Sequence, residues 1–113
     1  MDLWNELQRL LDELRASLKQ LRENGSNYAS SEQAYKMALR QHVLELREMG
    51  EPVGIINLVC YGDENVSELR RIRDCAEAVY KANQEAINVL KLQIRIVENQ
   101  MEREFVNAEH LTD

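Results

Sequence analysis

From Asn65 to Val106 the chain runs without a proline or glycine, and its apolar residues recur at helical spacing. One helix over that stretch would span roughly 60 Å, about twice the diameter of a small globular core. A helix of that length cannot bury its apolar face on itself, so it must lean on other helices of its own chain or of another. The expected fold is therefore all-α: an elongated antiparallel helical hairpin or coiled coil with one very long C-terminal helix, associated into an oligomeric bundle.

Composition fits this reading. Of 113 residues, 44% are hydrophobic, 30% charged and 5% aromatic, with one proline and four glycines, a balance suited to long helices. The net charge of −6 opposes a main role in holding phosphate backbones, because that affinity comes from Lys and Arg. The N-terminal MDLWNELQRLL mixes acids with apolar residues and is not a signal peptide. The apolar run from Ile55 to Cys60 is far shorter than the roughly 20 residues of a membrane span. A cytoplasmic protein with no membrane partner is expected.

The first segment carries a heptad seam at Trp4, Leu7, Leu11, Leu14, Leu18 and Leu21, with Leu3 and Leu10 widening one flank. This predicts an association helix over residues 1–24. Asn24-Gly25 reads as its C-terminal stop and residues 25–30 as a linker. Residues 31–113 read as a helical hairpin with helices at about 31–49, 52–61 and 65–106. Ser30 and Gln33 would form a capping box for the first of these. Tyr35, Leu39, Val43, Leu46 and Met49 give it an apolar face ending at Gly50. Pro52 opens a short helix apolar on nearly all sides, predicted to be a buried plug. Asn65 and Glu68 would cap the long helix.

On that long helix the apolar positions are Val66, Leu69, Ile72, Ala76, Val79, Ile87, Leu90, Ile94, Val97, Met101 and Phe105. The step of eight from Val79 to Ile87 implies a local phase shift, with Asn83 fixing register. The N-terminal leucine seam and the C-terminal seam of Leu90, Ile94, Val97, Met101 and Phe105 are natural partners, within one chain or between two. A two-layer hairpin does not bury both flanks of such seams, so both are read as oligomer interface.

Chemistry-bearing motifs are few. Two histidines, His42 and His110, and two separated cysteines, Cys60 and Cys75, make no metal set and no redox pair; the cysteines read as small buried hydrophobes. The glycines form no phosphate loop, and the serines cluster in caps and linkers, so no nucleophile stands beside a base. No enzyme activity, cofactor or metal is expected.

Two binding faces remain. REMGEPVGIINLVCYGDENVSELRRIRD has the order of a helix-turn-helix, with Arg70, Arg71 and Arg73 opening the third helix, although Glu68 and Asp74 offset those charges. Along one side of the long helix Arg70, Arg73, Lys81, Gln84, Asn88, Lys91 and Arg95, with Tyr80 nearby, could meet an anionic, nucleotide-like ligand in an oligomer. The ligand residues singled out are Arg70, Arg73, Tyr80, Asn83, Lys91 and Arg95.

AYKMALRQHVLELREMGEPVGIINLV followed by RIRDCAEAVYKANQEAINVLKLQIRIVENQMEREF resembles small all-helical proteins of temperate bacteriophages of Gram-positive hosts, over about two thirds of the chain. The resemblance implies a phage or prophage origin and a binding role in an infected or lysogenic cell. It transfers no catalytic residue. The leading expectation is a stoichiometric binding protein, acting in counter-defence by sequestering a host protein or an anionic signal. The alternatives are an accessory factor for phage DNA replication or recombination, and a structural coiled-coil spacer.

Overall fold

A computed structural model describes residues 2–112, with side chains through Glu109. The described chain is all-α, with three helices: α1 (Leu3–Glu48), α2 (Val53–Gly62) and α3 (Glu64–Thr112). At 1.5 Å per residue the 49 residues of α3 extend about 73 Å. It is the long C-terminal helix expected from its sequence.

The first helix departs from expectation. There is no stop at Gly25 and no linker over 25–30, because α1 continues unbroken for 46 residues. The capping box at Ser30 is likewise absent: Ser31 Oγ donates back to the carbonyl of Asn27 at 2.7 Å, as serine does inside a helix. The true end lies at Gly50, with φ of +81°, where Gly50 N–H donates to Arg47 O and Glu51 N–H to Leu46 O. This is the Schellman termination that glycine allows.

Pro52 precedes α2, and Ile55 N–H donates to its carbonyl at 3.1 Å. The cap of α3 is Asp63, whose Oδ2 accepts from Val66 N–H at 3.0 Å, so α3 starts ahead of the expected Asn65 cap.

The chain forms two compact units: residues 1–22 with 82–113, and 23–81. In the first unit Leu10, 2% exposed, packs with Leu90, Ile94 and Val97, flanked by Leu3, Leu7, Leu11, Leu14 and Met101. Antiparallel order follows from Leu10 meeting the C-terminal half of α3 while Asn83 Nδ2 donates to Ser17 O at 3.2 Å. The leucine seam and the C-terminal seam are thus partners within one chain. Their centre is Leu10, a residue expected only to widen a flank, whereas Trp4, Leu18 and Phe105 are exposed.

In the second unit Leu46, Ile56 and Cys60 form a core with Leu39 and Val43 against it. Tyr35 and Val66 are also buried. The predicted plug is only half right, since Ile56 and Cys60 are the two buried residues of α2. The cysteines divide as well: Cys60 is fully buried and Cys75 exposed. Burial, with a smaller push from Asp63, raises the Cys60 thiol above its ordinary pKa. Thiol labelling of folded protein is therefore expected to spare Cys60 until denaturant exposes it; fast native labelling of Cys60 would contradict this packing.

The α3 seam has no phase shift. Val66, Leu69, Arg73, Ala76, Tyr80, Asn83, Ile87, Leu90, Ile94, Val97 and Met101 step by three and four throughout, and each is buried or half-buried. The apparent gap arose because Tyr80 and Asn83 are polar seam members, while Ile72 and Val79 are exposed.

Candidate functional site

The α3 seam explains where the expected ligand residues went. Arg73 and Tyr80 occupy inward positions in the second unit. The Arg73 guanidinium lies 4.7 Å from the Tyr35 ring centroid, and its Nε donates to Asp74 at 2.8 Å. Tyr80 stands against Tyr28, with centroids 5.9 Å apart, and lies over Gly25. Asn83, in the first unit, is spent on Ser17. The three are half-buried seam members held in contacts within the chain, and they do not share the exposed helix back.

Arg70, Lys81, Gln84, Asn88, Lys91 and Arg95 do share one exposed side of α3. Lys81 pairs with Glu77 at 2.7 Å, and that hydrogen bond holds the Glu77 carboxyl below its ordinary pKa. Arg71 pairs with Glu68 one turn earlier, and Arg70 rests over the Tyr61 ring at 5.3 Å. This is a solvated helix back with local pairs that solvent screens.

His42 sits between two carboxylates, with Nδ1 3.6 Å from Glu45 and Nε2 3.7 Å from Asp63, joining α1 to the junction before α3. The His110 side chain lies outside the described residues. Among the described residues no group of three or more His, Cys, Asp and Glu could hold a metal ion. No helix of the described residues is long and apolar enough to cross a membrane.

Two exposed apolar surfaces stand on the helices. The first covers α2 and the end of α1: Val53 is 74% exposed and Leu58 76%, with Met49, Ile55, Val59 and Tyr61 exposed beside them. Exposed apolar residues scattered singly are ordinary, but six around one ten-residue helix make a patch. Periodicity places the chain's most apolar segment in the interior because it does not tell a buried helix from one with an unpartnered side. Its length was the available signal: ten residues against one helix end bury a single stripe.

The second surface is a stripe along α3, one residue ahead of the core seam: Ile72, Cys75, Val79, Ala82, Ala86, Val89, Gln93 and Ile96. Every member is exposed. The sequence carries this strict three-four alternation, but apolar spacing alone assigns Ile72 and Val79 to the core seam. Comparison with protein families, curated proteins and solved structures finds no match to this chain.

Proposed function

We propose that this chain is a non-enzymatic binding protein that engages a protein partner stoichiometrically through helix faces. The observation that carries the reading is the α2 patch, where Val53 and Leu58 stand in solvent on a helix with only two buried residues and Met49 is exposed just past the end of α1. An apolar patch of this kind gains free energy when a partner removes it from water, at roughly 25 cal/mol per Å² of apolar surface. Arg70 over Tyr61 adds a positive rim, suited to a partner with acidic residues around an apolar anchor. In the phage setting that the sequence resembles, the partner is a host protein of the cytoplasm, and sequestering it would serve counter-defence.

The anionic-ligand form has less support, because Arg73, Tyr80 and Asn83 face inward and Lys91 and Arg95 stand on an exposed helix back. Nucleic acid has less still. Arg71 and Arg73 are each paired with a carboxylate, and the chain carries a net charge of −6.

Native mass spectrometry of protein purified from its host tests the proposal, comparing wild type with V53D/L58D. The expected result is a protein partner at fixed ratio on wild type and its loss from the variant, with helical circular dichroism unchanged. A retained small anion, or a partner unaffected by V53D/L58D but lost in R70E/K91E, would overturn it. Clean protein with no partner would leave the spacer role as the better account.

A further inference from the structure

The exposed stripe of α3 reads the same in both directions. About Gln84, Ile72 stands opposite Ile96, Cys75 opposite Gln93, Val79 opposite Val89, and Ala82 opposite Ala86. We propose that this stripe seats the same stripe of a second copy of the chain, antiparallel, with a two-fold axis between the helices at the level of Gln84, where Ala82 and Ala86 meet.

Three observations carry the choice of occupant. The first is length: residues 72–96 hold the alternation for about three and a half heptads, some 36 Å of helix, which is the extent at which a coiled-coil seam becomes specific. The second is size matching. An antiparallel pair places position a against position d of its mate, so Ile72 meets Ile96, Val79 meets Val89, and the two alanines meet at the axis. Small residues at the crossing let the helices approach closely, and bulkier ones fill the space as they diverge. Flanking the seam, Ala78 and Leu92 are equidistant from Glu85 and meet in the same way, extending the apolar contact. A partner other than this chain would impose no such mirror pattern.

The third observation is angle. Successive residues of a helix are about 100° apart, so a stripe one residue ahead of the core seam lies a quarter-turn round the helix. A helix in a four-helix bundle touches its two neighbours at that separation. In α3 one such face is filled by the chain's own α1, and the other is exposed, with Val79 at 52% and Val89 at 47%. The pairing also has one unfavourable contact, because Glu85 approaches Glu85 of its mate. Salt screens that repulsion, so the dimer tightens with added salt, opposite to nucleic-acid binding.

This association is independent of the α2 patch, and a different variant probes it. Sedimentation equilibrium of wild type should give twice the 13.2 kDa chain mass. V79E/V89E should give one chain mass with unchanged helicity, because both side chains are already in solvent within a single chain. Cys75, opposite Gln93 of the mate, should be slow to label in wild type and fast in V79E/V89E. Register is read with C60A/C75A chains: a mixture of A82C and A86C should cross-link far more efficiently than either alone. A monomeric wild type, a dimeric V79E/V89E, or A82C cross-linking to itself as well as to A86C would each overturn the proposal.

Discussion

Leu10→Ala is expected to destabilise the folded chain by about 2–5 kcal/mol, while Leu18→Ala, eight residues later on the same helix, changes stability by well under half as much. The chemistry of the two substitutions is identical. The difference is placement: Leu10 is the most buried residue of the unit it shares with Leu90, Ile94 and Val97, and Leu18 is exposed. Truncating Leu10 loses the transfer free energy of its side chain and leaves a cavity between two long helices that cannot close around a single missing residue. Urea denaturation followed by circular dichroism separates the cases. Equal costs at the two sites would mean that the leucine register runs through Trp4, Leu11 and Leu18 after all.

That contrast marks how far the fold was legible in the sequence. Helix content, the long α3 and the mutual fit of the N-terminal leucines with Leu90, Ile94 and Val97 follow from spacing. The rotation of α1 does not, because leucines at 3, 7, 10, 11, 14, 18 and 21 cover more than one face, and only the partner decides which column turns inward. The α3 seam departs from expectation for a related reason. Apolar periodicity alone passes over Tyr80 and Asn83 and picks up Val79, a member of the outer stripe, in their place. Their polar groups point Arg73, Tyr80 and Asn83 toward a ligand, whereas their spacing puts them on the seam. A polar residue at a seam position is as legible from spacing as an apolar one, but its inward partner is set by tertiary packing: Tyr35 for Arg73, Tyr28 and Gly25 for Tyr80, Ser17 for Asn83.

Gly25→Leu is expected to cost about 1–3 kcal/mol, although glycine is the poorer helix former by roughly 1 kcal/mol. Local chemistry reads Asn24-Gly25 as a helix stop, yet α1 passes straight through it. The glycine is there for the Tyr80 ring, whose Cε2 would stand 3.2 Å from a Cβ built at position 25. Tyr80 cannot retreat freely, because its ring is packed on Tyr28. Gly25→Ala sets the propensity gain against a contact a few tenths of an ångström too close, and the two should nearly cancel. A leucine there has to displace the ring. Removing the ring should then relieve that cost: in a Tyr80→Ala background, Gly25→Leu fills the vacated space and gains helix propensity, so its cost should fall by about 0.5–3 kcal/mol, the range for residues in direct contact. A double-mutant cycle in urea measures that coupling. A Gly25→Leu cost unchanged by Tyr80→Ala would mean that α1 tolerates glycine for some reason other than the ring lying over it.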